Sequence, residues 1–152
     1  MTTWSDRLDV LGINLPAVPA PAGAYVPAIR TGNLVYTAGQ VPIVDGQVAA
    51  TGKVGQEISP EEAKGLAGLC ALNALAAVHD LVGIDSVVRV VKVVGFVASA
   101  EGFTGQPAVV NGASELLGEV FGDAGRHARS AVGVAELPLG VPVEVELIVE
   151  VS

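Results

Sequence analysis

The sequence predicts an α+β domain in which two helices cover one face of a mixed β-sheet. Patterns of period two, typical of strands, alternate with two long helical patterns in the order strands, helix, strand, helix, two strands. The chain has 152 residues, which suits one domain, and 51% of them are hydrophobic. A chain of this size buries a core without disulfides or metals. Its single cysteine excludes a disulfide within the chain.

The first 22 residues are predicted to form an extension ahead of this domain. Residues 3–11 have the pattern of a short helix capped by Thr3 or Ser5. Three prolines then make residues 15–23 an extended connector. We expect this connector to lay the helix against the body of the domain.

Two strand pairs, each with a two-residue turn, follow the connector. The first pair spans residues 25–38 around Thr31-Gly32. The second spans residues 41–49 around Asp45-Gly46, which is the stronger hairpin signal.

Two helices are predicted in the middle of the chain. Ser59, Pro60 and Glu62 match a helix start in which Ser59 is the cap, and the helix extends from there to about Leu81. The second helix covers residues 107–121, where apolar residues recur along one stripe.

The strand predicted over residues 87–98 is apolar on both faces, which indicates burial on both faces. The alternation assigns Val88, Val90, Val94 and Phe96 to one face and Val87, Val91, Val93 and Val97 to the other. Helices cover one of these faces, and we expect an oligomer interface to cover the other.

The last two strands are predicted over residues 128–136 and 141–151, with a turn between them. The final strand alternates strictly, with apolar residues at its odd positions. Glu144, Glu146 and Glu150 point the other way.

Composition limits the classes of partner. The net charge of −8 disfavours binding to nucleic acid. Only 16% of the residues are charged, against roughly 25% in typical soluble domains, so the chain enters a membrane or covers apolar surface with partners. The most apolar stretch, residues 66–82, is too short and too polar to span a bilayer, and the N-terminus does not have the pattern of a signal peptide. We therefore predict a cytoplasmic homo-oligomer that binds no membrane.

Arg129 is the side chain best suited to bind a ligand. Neighbours on its face of the strand, such as Ala131 and Gly133, are small and leave room around the guanidinium. A guanidinium beside open space suits bidentate binding of a small carboxylate. On spacing alone, however, the favoured interpretation is a cross-strand salt bridge from Arg129 to Glu144 or Glu146 in a plausible hairpin.

Other residues with reactive side chains have simpler interpretations. His127 is either a general acid/base or, in the preferred interpretation, a solvated loop histidine. Cys70 lies in the middle of a helix among apolar residues, which indicates a buried, inert thiol. One cysteine and two histidines do not make a zinc-finger site, and the glycines match no phosphate-binding or dinucleotide-binding fingerprint.

The residues around Arg129 carry a resemblance to a known family. Ala128-Arg129-Ser130, then Leu137-Pro138, then Val143-Glu144-Val145-Glu146 resemble the C-terminal motif of the reactive intermediate deaminase family (RidA or YjgF), also labelled endoribonuclease L-PSP. Further matches are Gly23-Ala24-Tyr25-Val26, Thr37-Ala38-Gly39-Gln40-Val41-Pro42 and Val110-Asn111. Residues 23–152 thus resemble one RidA/YjgF-like domain of a divergent subgroup.

The resemblance implies a chorismate-mutase-like fold and a homotrimer with its sites in the clefts between subunits. Family members hydrolyse enamines and imines such as 2-aminoacrylate to 2-keto acids and ammonia, without a metal or an organic cofactor. By match, Arg129 holds the substrate carboxylate, and Glu144 orients or deprotonates the attacking water. Tyr25 closes the site from a neighbouring subunit, while Gly39 and Asn111 shape the pocket.

Two positions depart from the family pattern. Ala38 stands where the family usually has serine, and this loss of a hydroxyl bears on substrate choice. Ala131 stands where deaminating members often have cysteine. Because that position contributes mainly its backbone carbonyl, Ala131 is kept as a substrate-binding position.

Three functions are therefore in competition. The leading one is an enamine/imine deaminase that needs no cofactor. The alternative is a non-catalytic trimer that binds small carboxylates or keto acids. An endoribonuclease ranks third, because the acidic chain has no basic and aromatic surface pattern for RNA.

Overall fold

A computed structural model describes residues 2–152 of the chain. The described residues form a five-stranded sheet in the order β1-β2-β7-β5-β6, with β3 and β4 as a separate hairpin. In chain order the elements are α1 (Trp4–Leu11), β1 (Ala28–Thr31), β2 (Leu34–Thr37), β3 (Ile43–Val44), β4 (Gln47–Val48), α2 (Pro60–Val82), β5 (Val87–Ala98), α3 (Gln106–Phe121), β6 (Ala128–Val134) and β7 (Val143–Val151).

The sheet is mixed, as predicted. Strands β5 and β6 pair in parallel, and the other neighbours pair antiparallel. The first strand is shorter than expected, because β1 begins only at Ala28. Proline 27 precedes it and has no backbone N–H to give to a ladder, so residues 25–27 stay outside the sheet.

Helices α2 and α3 pack together over one face of the sheet and confirm the predicted α+β arrangement. Ser59 caps α2 by accepting a hydrogen bond from the Glu62 backbone N–H at 3.1 Å. Glycines let the layers approach closely: a Cβ on Gly95 of β5 would overlap the side chain of Val110 on α3. A Cβ on Gly112 would overlap the backbone carbonyl of Lys64 on α2.

Strand β5 has the predicted bounds, but Val90 lies on the face opposite to that predicted. Val90 is buried beside Val149 under the helices, whereas Val91 is 36% exposed. Register shifts between Val87 and Arg89 and again between Val90 and Lys92 interrupt the alternation. Each irregularity reverses the side-chain direction beyond it, so the simple period of two fails here.

Helix α1 docks onto the end of the domain. Thr3 is its cap, in a capping box with Asp6, as one of the two predicted alternatives. The indole Nε1 of Trp4 donates to the carbonyl of Val87 at 2.7 Å, and its ring meets Phe121 edge-on at 5.0 Å between centroids. The proposed boundary between residues 22 and 23 stays a prediction.

Helix α2 is, by length and composition alone, apolar enough to cross a membrane. Half of its most apolar window is buried inside the domain. Its buried side chains, among them Ala67, Ala71 and Leu75, belong to the core.

Candidate functional site

A cavity of about 310 Å³ opens beside Glu144. Glu144 lies on β7 and pairs in register with Phe96 of β5, on the face of the sheet that the helices leave open. The cavity is lined by Pro19, Ala20, Pro21, Ala22, Tyr25, Pro27, Gly39, Gln40, Val41, Ile43, Pro138, Leu139 and Glu144. Three of the predicted site residues, Tyr25, Gly39 and Glu144, therefore meet in one place.

Gly39 gives the carboxylate of Glu144 its room. A Cβ on residue 39 would lie 2.7 Å from Oε2 of Glu144 and 2.8 Å from its Cδ. Gln40 holds this loop beside β7, because its backbone N–H donates to Val145 at 2.8 Å and its carbonyl accepts from Val145 at 2.9 Å. The loop that resembles the family motif is thus fixed against the strand that carries the carboxylate.

Burial and a neighbouring negative charge make Glu144 a weaker acid. The pKa of Glu144 is raised, first by desolvation of the half-buried carboxyl and second by the charge of Glu146. A carboxylate with a raised pKa is a stronger base, which suits proton transfer near neutral pH.

Tyr25 and the proline connector form one wall of the cavity. The phenol oxygen of Tyr25 accepts a hydrogen bond from the backbone N–H of Ala22 at 3.2 Å. Residues 19–22 were predicted only as an extended connector, and their place beside Glu144 carries no signal in the sequence. An apolar wall next to a carboxylate suits a ligand with a short aliphatic part.

Arg129 lies elsewhere, in contact with α3. One guanidinium nitrogen, Nη1, donates to Oδ1 of Asn111 at 2.7 Å and to Oγ of Ser114 at 3.2 Å. Of the five N–H donors of a guanidinium, those on Nε and Nη2 find no acceptor among residues 2–152. The anchored nitrogen thus leaves one edge of the fork for an external carboxylate.

Ala131 belongs to the same cluster. Arg129 pairs in register with Val93 and Ala131 pairs with Gly95, so both lie on the helix side of the sheet. With Asn111, they form a second group of predicted site residues, separate from the group around Glu144.

The two groups lie on opposite faces of the sheet, and the predicted salt bridge from Arg129 to Glu144 or Glu146 is wrong. Strand β5 lies between β6 and β7, so these two strands do not form a hairpin. The register places Arg129 beside the buried Val93, whereas Glu144 is beside Phe96 on the open face. The spacing in the sequence did not reveal that the chain crosses over β5 between its last two strands.

His127 is not the solvated loop histidine that we preferred from the sequence. Its Nδ1 lies 2.6 Å from the carbonyl of Gly125 and its Nε2 lies 2.9 Å from Oγ of Ser114. Ser114 was missed by sequence reasoning. The available signal was its spacing of three residues from Asn111, which puts both side chains on one face of a helix.

The remaining reactive side chain is buried. Cys70 is inaccessible, as predicted, and its Sγ donates to the carbonyl of Val143 at 3.7 Å. Desolvation is the main cause that raises the pKa of this thiol. Among residues 2–152, no three metal-binding side chains form a cluster.

Comparison with known proteins identifies the family. The model of the protein family Endoribonuclease L-PSP matches residues 16–151 of this chain. Protein TCP17 of Trypanosoma cruzi is 44% identical over 148 residues, which cover 96% of this chain and 92% of that protein. The 2-iminobutanoate/2-iminopropanoate deaminase of Dermatophagoides farinae is 33% identical over 141 residues, which cover 92% of this chain and 95% of that protein.

The fold agrees with this match. The crystal structure of the YjgF gene product from E. coli superposes with a TM-score of 0.65 at 29% identity, over 90% of this chain and 94% of that one. The resemblance seen in the sequence, and the fold that it implied, are confirmed. The chain belongs to the endoribonuclease L-PSP family, also known as RidA or YjgF.

Proposed function

We propose that the protein hydrolyses small 2-imino and 2-enamino acids to 2-keto acids and ammonia, at sites shared between the subunits of a homotrimer. The observation that carries this proposal is the separation of Arg129 and Glu144 on opposite faces of one sheet. One protomer cannot apply both side chains to the same small molecule. A site made from Arg129 of one subunit and Glu144 of its neighbour can do so.

The open face of the sheet supports assembly. Val88 is 46% exposed, Val91 36% and Val132 43%, and all three are on strands β5 and β6. An apolar sheet face of this kind is covered by a partner in a stable protein. Closed homo-oligomers are the usual outcome, so a second copy of the chain is the natural cover.

Arg129 would bind and orient the substrate. Its free Nε and Nη2 edge matches the two oxygens of a carboxylate, and a bidentate contact fixes direction as well as position. Ala131 would contribute its backbone carbonyl, and Asn111 would keep the guanidinium in place through the 2.7 Å hydrogen bond.

Glu144 would supply the base. An enamino acid first tautomerises to the imine, which reacts in its N-protonated form. Glu144 takes a proton from water as the water oxygen adds to the imine carbon, and the π electrons of the carbon–nitrogen double bond move to nitrogen, which gives a tetrahedral amino alcohol. Glu144 then returns this proton to the amino nitrogen, the carbon–nitrogen bond breaks, and the departing ammonia takes the hydroxyl proton as the keto group forms. A positioned base of this kind accelerates a reaction by typically about 10²–10⁴-fold. The reaction as written uses no metal and no organic cofactor.

Tyr25, Gly39 and the connector would set the substrate class. The cavity beside Glu144 is small and largely aliphatic on the connector side. It suits short imino acids such as 2-iminobutanoate, which the name of the Dermatophagoides farinae relative includes. We propose a cytoplasmic protein that binds no membrane, and the net charge of −8 disfavours binding to nucleic acid.

Mixed assemblies test the shared site. Arg129→Ala and Glu144→Gln should each abolish turnover in an assay where an amino acid oxidase generates the imine and semicarbazide traps it. Subunits of the two variants, co-expressed in equal amounts, should recover about a quarter of wild-type activity, because three quarters of random trimers are mixed and each has one native site. Mixtures without activity, beside an active wild type, would contradict a shared site.

Binding measurements separate the deaminase from the alternative, a non-catalytic trimer that binds keto acids. Calorimetric titration with 2-ketobutyrate should show binding to Glu144→Gln and none to Arg129→Ala. Arg129→Lys should bind markedly less, because it keeps the charge but loses the planar fork. A wild-type protein that binds 2-ketobutyrate but gives no turnover is the binding protein instead.

A further inference from the structure

We propose that Ser114 and His127 are positioning residues that hold the guanidinium of Arg129 for the substrate carboxylate. The identity of the ligand as a substrate carboxylate rests on the proposed function. The anchoring itself is a property of the protein alone. It adds to the site two residues, Ser114 and His127, to which the sequence analysis assigned no positioning role.

The hydrogen bonds form a chain with a defined direction. Gly125 offers only a carbonyl at 2.6 Å, so Nδ1 of His127 carries the proton and donates to it. With that proton on Nδ1, Nε2 is the acceptor for the hydroxyl of Ser114 at 2.9 Å. The Ser114 oxygen is then oriented to accept from Nη1 of Arg129 at 3.2 Å.

The Gly125 carbonyl, at one end of this chain of hydrogen bonds, is held in place by packing. Gly125 packs so closely on α3 that a Cβ there would overlap the backbone carbonyl of Leu117. The carbonyl that orients His127 is therefore fixed to the same helix that carries Ser114 and Asn111. Arg129 is held from α3 by two acceptors one helical turn apart.

Two hydrogen bonds from one nitrogen, Nη1, restrict the rotation of the Arg129 guanidinium. Oδ1 of Asn111 alone would let the group pivot about a single hydrogen bond. The second bond, to Ser114, removes that freedom and fixes the plane of the fork, and with it the direction of Nε and Nη2. Fixing the binding group before the ligand arrives lowers the entropy cost of binding.

Paired variants of His127 isolate the chain of hydrogen bonds. A glutamine in place of His127 reaches the position of Nε2, so His127→Gln should keep the contact with Ser114. An asparagine reaches only the position of Nδ1, so His127→Asn should keep the contact with Gly125 and lose Ser114. Ser114→Ala removes the same link from the other side.

The first readout is rotation of the guanidinium, measured by ¹⁵N NMR of the arginine side chains. The Arg129 signal is assigned by its loss in Arg129→Lys. Rotation should be slow in the wild type and in His127→Gln, and clearly faster in Ser114→Ala and His127→Asn. Equal rotation in all four proteins would overturn the proposal.

The second readout is binding and turnover of the carboxylate. Ser114→Ala and His127→Asn should raise the Kd for 2-ketobutyrate about tenfold and KM by a similar factor, with kcat nearly unchanged, because ground state and transition state lose the same contact. His127→Gln should restore both values. If the wild type binds no keto acid while rotation still depends on Ser114, the proposed function fails and the anchoring stands.

Discussion

Among single residues, Gly39 has the most direct influence on the candidate site. Even the methyl group of an alanine at position 39 would collide with the carboxylate of Glu144. The same carboxylate is half-buried and has a raised pKa, so small displacements change both its position and its solvation.

Gly39→Ala should lower turnover without unfolding the protein. The added Cβ would lie 2.7 Å from Oε2, so the flexible end of Glu144 must move. A displacement of about 1 Å at a catalytic group can cost up to about 10²-fold in rate, and we expect a loss of at least about tenfold in kcat/KM. Thermal melts should stay within a few degrees of the wild type.

Gly65→Ala is the matched control for this substitution. Gly65 lies in α2, and a Cβ there would have no neighbour within 4 Å. Its turnover should equal that of the wild type. Equal turnover in Gly39→Ala would mean that the position of the Glu144 carboxylate does not govern the rate.

At the scale of elements, local signals predicted the helices well and the sheet less well. The cap at Ser59 and the stripe of α3 depend on residues a few positions apart, and both helices begin within one residue of their predicted starts. The face of Val90 depends on register against β7, which is set by residues far along the chain. No local pattern contains that information.

Two glycines of α3 should respond oppositely to the same substitution. In Gly112→Ala the Cβ would overlap a backbone carbonyl of α2, so the helices must separate, at a cost of about 1–3 kcal/mol of stability. In Gly118→Ala the Cβ meets open space, and the better helix propensity should stabilise the protein by about 0.5–1 kcal/mol.

Urea unfolding at one fixed protein concentration measures both changes, because the stability of an oligomer depends on concentration. A Gly112→Ala protein as stable as the wild type would show that α2 and α3 tolerate a wider spacing. That result would also weaken the claim that α3 rigidly positions Asn111 and Ser114.

For the whole molecule, assembly is the property that the proposal most needs. Val91 and Val93 are two residues apart on β5, but Val91 is 36% exposed and Val93 is fully buried. Val91→Lys should give a folded protomer that no longer forms a trimer. Val93→Lys should not fold, because it buries an unpaired charge.

Sedimentation gives the oligomeric state and circular dichroism gives the fold of each variant. The wild type should sediment as a trimer at micromolar concentration, and Val91→Lys as a monomer with a wild-type spectrum. A Val91→Lys protein that stays trimeric would place the subunit interface on another surface.

The candidate site was only partly predictable from the sequence. Small residues beside Arg129 indicated a binding role, and the family motif supplied Tyr25, Gly39 and Glu144. Two features could not be predicted because they depend on contacts between distant segments. One is the crossing over β5 that separates Arg129 from Glu144, and the other is the hydrogen bond between His127 and Ser114. Both depend on packing between segments rather than on spacing within one.

The position of β7 in the sheet determines when the domain can form during synthesis. This strand is the last of the seven along the chain, yet it lies between β2 and β5 and pairs with both. Until β7 has emerged from the ribosome, the inner edges of β2 and β5 have no partner, and the apolar core has no central strand. Unpaired edges of this kind attract other chains. The nascent polypeptide is therefore most prone to aggregation just before β7 emerges. Insertion of β7 between β2 and β5 then completes the sheet in one step.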